Sequence, residues 1–187
     1  MNNKTKVNNH MHLQTALFIG RFQPFHNGHL EVIRSISQKS KRLIIVIGSA
    51  QESETFINPF SSSERRKMIE LVLSAEGINN FCIAEVSDIN DNAKWVNHVK
   101  EKLVMFTDDH EFHHVHKGSE LTRNLFVEAG YKVEWIPERI AGISASEIRL
   151  RILKDMPWEH LVPRQAYDYI LSIGGDKRIK CLSKHQS

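Results

Sequence analysis

Cysteine is scarce in this chain, and its placement excludes whole classes of architecture. Only two cysteines occur in 187 residues, Cys82 and Cys181. They form no C-x-x-C pair, so neither a zinc ribbon nor a disulfide framework is available. The pattern fits a reducing cytoplasm. Long apolar runs are missing too. None approaches the ~18–20 residues that span a bilayer, and residues 1–14, rich in Asn, Lys and His, lack the apolar segment of a signal peptide. No charge predominates: 25 basic against 22 acidic residues leave a net charge of +3. That balance is too even to imply a nucleic-acid polyanion as partner but allows a small phosphate-bearing ligand. No period of roughly 20–50 residues recurs, so the chain is not a repeat protein.

What is present is an ordinary globular composition, 41% hydrophobic and 25% charged. The length suits one domain of ~100–200 residues, with a core burying roughly 70% of the unfolded chain's surface. Short apolar runs and helical periodicities alternate. Ala16–Ile19, Leu43–Ile47, Phe81–Val86, Phe112–His116 and Tyr131–Ile136 read as strands; the stretches from Leu30, Ser61, Trp95 and Leu121 read as helices between them. Leu43–Ile47 has no polar alternation, as expected of a parallel strand buried on both faces. Such alternation predicts an α/β fold: a doubly wound, Rossmann-like parallel sheet with helices on both faces, and C-terminal helices after it. Ser61–Glu64 and Ser144–Glu147 have the capping-box spacing. A final helix is expected over Pro163–Ile173, with proline in its first turn. Residues 1–14 are expected to form a polar arm, 15–175 the domain, and 176–187 a solvated basic tail.

Ligands of such sheets bind beyond the carboxyl ends of the strands. After the first strand stands Gly20-Arg21-Phe22-Gln23-Pro24-Phe25-His26-Asn27-Gly28-His29. It is neither a G-x-G-x-x-G turn nor a Walker loop, since no G-K-[ST] follows. It places two imidazoles three residues apart where a helix begins, with Gly28 between them and Arg21 alongside. This is an anion site. A second constellation, Ile143-Ser144-Ala145-Ser146-Glu147-Ile148-Arg149, puts two hydroxyls and free N–H groups at a helix mouth and an arginine one turn in. With no nucleophile–base pair and no carboxylate dyad, these groups suggest phosphoryl-type transfer by positioning and charge neutralisation. An attacking phosphate monoester has a second pKa of about 6, so no general base is required.

The two stretches resemble the H-x-G-H and I-S-x-[ST]-x-I-R signatures of the nucleotidyltransferase superfamily. Asn58-Pro59-Phe60 leading into Ser63-Glu64-Arg65 resembles further motifs of the archaeal-type nicotinamide mononucleotide (NMN) adenylyltransferases. So do Asp88-Ile89-Asn90 with Asn92 and Trp95, Met156–Glu159, and Leu161–Pro163. The resemblance runs from about Thr15 to Ile173. It implies ATP and NMN as substrates, with magnesium carried on the ATP phosphates and no metal ligands from the protein. His26 and His29 would stabilise the transition state at the α-phosphorus, and Arg21, Arg65 and Arg149 would neutralise charge. Ser144 and Ser146 would meet phosphate, and Gly20, Phe22, Phe25 and Gly28 would border the nucleotide. Trp95 would stack on the nicotinamide, with Asn92 and the Ile89 backbone at its carboxamide. It also implies a cytoplasmic homo-oligomer acting on small nucleotides, with no membrane partner. Transfer to another phosphorylated acceptor, such as flavin mononucleotide or phosphopantetheine, and non-catalytic nucleotide sensing remain alternatives.

One stretch departs from the pattern: Lys117-Gly118-Ser119 stands where the family has Thr-Gly-Asn near the adenine. Gly118 alone matches. Asp88–Ala93 is no EF-hand, having Ala93 at its sixth position and Val99 at its twelfth. The histidines from His110 to His116 could place His114 and His116 on one face as metal ligands; a half-exposed strand edge is the simpler reading.

Overall fold

A computed structural model describes residues 13–106, 113–116, 120–135 and 143–184. Five strands form one parallel sheet: β1 (Leu13–Gly20), β2 (Ser40–Ile47), β3 (Phe81–Glu85), β4 (His113–His116) and β5 (Val133–Trp135). Their spatial order is β3-β2-β1-β4-β5. Right-handed crossovers require the helices to change face where that order reverses, between β1 and β4.

The core obeys that requirement. Ala16 and Phe18 of β1, with Leu43, Ile45 and Ile47 of β2, face α1 (Asn27–Ser37) and α2 (Ser62–Ala75). The alternate residues Leu17, Ile19, Ile44 and Val46 face α3 (Asn92–Leu103) and α4 (Glu120–Glu128). Burial on both faces explains the unbroken apolar run of β2. The chain then returns to the first face as α5 (Ala145–Leu153), a short 3-10 turn (Glu159–Leu161), α6 (Arg164–Ser172) and α7 (Gly175–Ser183). No helix among the described residues is long and apolar enough to cross a membrane.

Several expectations change. β1 begins at Leu13, inside the expected arm, because Leu13 pairs with Ser40. β4 lies between β1 and β5, so it is an inner strand rather than an edge. Pro163 is the residue before α6, not in its first turn. The expected solvated tail is instead α7: Ile179 is fully buried, and Arg178 grips Glu64 with Nη1 and Nη2 at 2.7 and 2.8 Å. Of the two expected capping boxes, the Ser61–Glu64 box closes in both directions. At α5, Ser144 Oγ accepts from the Glu147 N–H, but the Glu147 carboxylate turns to Arg151 at 2.7 Å.

Candidate active site

The loop after β1 is built by close approach. Gly20 has no side chain because the Phe22 ring lies over it; a Cβ there would stand 2.9 Å from Phe22 Cζ. Phe22 itself has φ +54, a left-handed conformation that costs on the order of 1 kcal/mol in a non-glycine residue. At the start of α1, the His26 N–H donates to His29 Nδ1 at 3.2 Å. The two imidazoles stack with centroids 3.6 Å apart, and the Phe22 ring meets His29 edge-on at 4.8 Å. Because Nδ1 of His29 accepts, neutral His29 carries its proton on Nε2 and can donate from there.

Arg65 holds this loop against the one after β2. Its side chain is 0% exposed. Nη1 donates to the carbonyls of Arg21 and Gly48 at 3.1 and 2.9 Å, and Nη2 to those of Ser49 and Glu52 at 3.1 and 3.3 Å. Nε donates to the Ser61 carbonyl at 3.2 Å. A guanidinium has five N–H groups, and all are directed at backbone carbonyls. Burial pushes its pKa down to about 10, still protonated at neutral pH.

A third tie runs through Gln23. Its side-chain amide exchanges two hydrogen bonds with the Phe60 backbone, at 2.8 and 3.0 Å. Its carbonyl accepts from Arg149 Nη1 at 2.7 Å. Arg149 also donates to Ser146 Oγ at 3.2 Å, while its buried Nε has no partner among the described residues. Burial and then the charge of Arg21 bring the Arg149 pKa down to about 10; among the described residues no carboxylate counters them. Two arginines that repel each other across a cleft stabilise whatever anion enters it.

Beside these groups lies a cavity of about 650 Å³ above the carboxyl ends of the strands. One side presents Arg21, His26, His29 and the α5 mouth from Ser144 to Arg149; Ser49, Asp88, Trp95 and Leu121 complete the wall. Such a cavity suits a ligand with anionic phosphates.

The cytidylyltransferase-like family model matches residues 17–151. Nicotinamide-nucleotide adenylyltransferase of Thermococcus sibiricus is 42% identical over 171 residues, 90% of this chain and 89% of that protein. The enzyme of that name from Methanococcus vannielii is 42% identical, covering 90% of this chain and 95% of the other. The chain belongs to this family. In fold it also resembles a bifunctional NMN adenylyltransferase/ADP ribose pyrophosphatase of Francisella tularensis, solved with AMP and a manganese ion (TM-score 0.79, 24% identity, 93% of this chain). It spans only 53% of that protein's length.

Against the family's expected site, the positions divide. Gly20, Arg21, Phe22, His26, His29, Trp95, Ser144, Ser146 and Arg149 line the cavity. Arg65 does not, because backbone carbonyls take all its donors; its expected contact with phosphate is replaced by a positioning role. Phe25 and Gly28 are buried behind the lining, where the Phe25 ring packs 5.5 Å from His29. Ile89, 36% exposed, and exposed Asn92 stand outside the lining, both preceding Trp95 in the chain. Gly118 lies outside the described residues. Gln23, Ser49 and Asp88 carry no expected role in the site, although Gln23 and Asp88 lie within stretches that resemble the family's motifs; Ser49 has only its position shortly after β2 as a signal.

Proposed function

We propose that this chain is a nicotinamide-nucleotide adenylyltransferase, which transfers AMP from ATP to NMN and yields NAD and pyrophosphate. The observation that carries the reading is the convergence of His26, His29, Arg21 and Arg149 on one cavity at the sheet's switch point. In the reaction a phosphate oxygen of NMN attacks the α-phosphorus of ATP, the new P–O bond forms, and the bond to the β-phosphate oxygen breaks. The NMN phosphate is largely dianionic at pH 7, so charge, not proton abstraction, sets the barrier.

His29 donates from Nε2 and, with His26, stabilises the charge that gathers on the α-phosphate oxygens; Arg21 and Arg149 neutralise the phosphates. Ser144 and Ser146 receive phosphate at the mouth of α5, and Gly20 and Phe22 border the nucleotide. Trp95 stacks on the nicotinamide, with Asn92 and the Ile89 backbone at its carboxamide. When bound, magnesium would be carried on the ATP phosphate oxygens, its preferred ligands, and would supply charge neutralisation there. We place residues 15–175 in one nucleotidyltransferase domain that α7 completes. The protein acts in the cytoplasm as a homo-oligomer on small nucleotides, without nucleic acid as a partner.

One incubation with ATP, NMN and magnesium tests the reading, with pyrophosphate and NAD as the measured products. Equimolar formation of both is expected. Tight nucleotide binding without either product would favour a sensor.

A further inference from the structure

Arg149 is a buried cation without a counter-ion. The residue is 5% exposed, no carboxylate among the described residues acts on it, and the charge that does, that of Arg21, repels it. A guanidinium so placed needs stabilisation from neutral groups. Two are the Gln23 carbonyl and Ser146 Oγ, which accept from Nη1 and Nη2 at 2.7 and 3.2 Å. The third is the ring of Phe56, whose centroid lies 5.8 Å from Arg149 Cζ. An aromatic face attracts a cation within about 6 Å.

The segment that carries this ring is anchored on both sides. Before it, Arg65 Nη2 donates to the Glu52 carbonyl at 3.3 Å. Around it, the Thr55 N–H donates to the Asn58 carbonyl at 3.2 Å and the Asn58 N–H to Thr55 Oγ1 at 3.0 Å. Within that turn Ile57 is exposed, whereas Phe56 is half-buried and packs on the core beneath the first sheet face. An aromatic ring in this place has a chemical consequence that a carboxylate would not have. A carboxylate would neutralise the guanidinium and compete with phosphate for its N–H groups. A ring face stabilises the cation without cancelling its charge and accepts none of the hydrogen bonds that suit the fork to phosphate.

Building on the reading of the cavity as an ATP site, we propose that Phe56 is a positioning residue for ATP binding, its ring holding Arg149 in the place of a counter-ion. Phe56→Leu and Phe56→Met keep apolar bulk and remove the π face; Phe56→Tyr keeps the face. The test titrates magnesium-ATP into the full chain and these variants by calorimetry, and repeats Phe56→Leu in an Arg149→Ala background. Either ring-less variant should weaken ATP binding by about fivefold, the scale of one desolvated cation–π contact. Phe56→Tyr should stay within about twofold of the unaltered protein. In the Arg149→Ala background Phe56→Leu should weaken binding no further, since the ring acts through that guanidinium. Equal weakening in both backgrounds would reduce Phe56 to loop packing and overturn the proposal. Unchanged binding in the ring-less variants would overturn it too, as would a loss in Phe56→Tyr as large as in Phe56→Leu. ATP titrations that behave as expected, with no NAD or pyrophosphate formed by the unaltered protein, would overturn the adenylyltransferase reading and leave the role of Phe56 intact. No ATP binding by the unaltered protein would overturn both.

Discussion

The His26 backbone N–H donates to His29 Nδ1 at 3.2 Å, so the residue that starts α1 dictates which nitrogen of its neighbour can serve a phosphate. With Nδ1 accepting, neutral His29 carries its proton on Nε2. His29→Ala is therefore expected to lower kcat by about a hundredfold, the scale of one lost transition-state donor, and to change ATP affinity far less. Steady-state kinetics with a parallel ATP-binding titration measures the split. Equal losses in both would make the contact a ground-state one.

Arg65 and Arg21 make opposite predictions, because Arg21 lines the cavity and Arg65 is buried beneath it. Arg65 closes two loops through buried carbonyls, which a lysine with three donors on one nitrogen cannot span. Arg65→Lys should lower unfolding stability by about 2–4 kcal/mol in urea, the scale of several stranded buried acceptors. Among the described residues the Arg21 guanidinium has no hydrogen-bond partner, and the residue is exposed. Arg21→Ala should stay within about 0.5 kcal/mol in stability and raise KM for ATP.

The Glu64–Arg178 pair couples the start of α2 to α7 and titrates with acid. Burial works against ionisation of Glu64, but hydrogen bonds from Arg178 and the Ser61 N–H outweigh it and hold the carboxyl below its ordinary range. A carboxyl depressed in the folded state adds stability above its unfolded value of about 4.3 and loses it as pH falls through the folded value. Arg178→Ala should thus cost about 1–2 kcal/mol at pH 7, as for a partly screened bidentate pair. The gap from the unaltered protein should close below about pH 4. A gap independent of pH, seen by thermal melts across that range, would remove the ion pair from the account.

Gly175 begins α7 against Phe60: a Cβ there would stand 2.6 Å from Phe60 Cε1. Gly175→Ala must displace that ring, and overpacking of this kind costs about 1–3 kcal/mol. Phe60 is also the residue whose backbone Gln23 clamps. The variant should therefore lose kcat/KM along with thermal stability, and a larger cavity from Phe60→Leu in the same chain should restore part of both.

Local signals carried much of the architecture. The apolar run Leu43–Ile47 announced a strand buried on both faces, Ser61 and Glu64 announced the start of α2, and His26 and His29 announced the turn that opens α1. Each is a short-range property: burial periodicity, a side chain reaching its own backbone, two rings on one helical turn. Such features are legible wherever the chain can satisfy them without distant partners.

Arg65 and α7 were read wrongly for the opposite reason. An arginine beside a phosphate motif is equally suited to an anion or to carbonyls, and the choice fell to where the loop from Gly48 to Glu52 turned its oxygens. The basic stretch after Gly175 looks solvated in isolation because its anchors are Phe60, Glu64 and Pro59 O, more than a hundred residues earlier in the chain. Asp88 became part of the cavity only when Ser49 and Gln51, carried in by the neighbouring strand, fixed its direction. The scarcity of cysteine and of long apolar runs had already confined the chain to a core held by packing and hydrogen bonds. Which polar groups would meet across that core depended on long-range closure, since a hydrogen bond has a direction and a partner that no single segment contains.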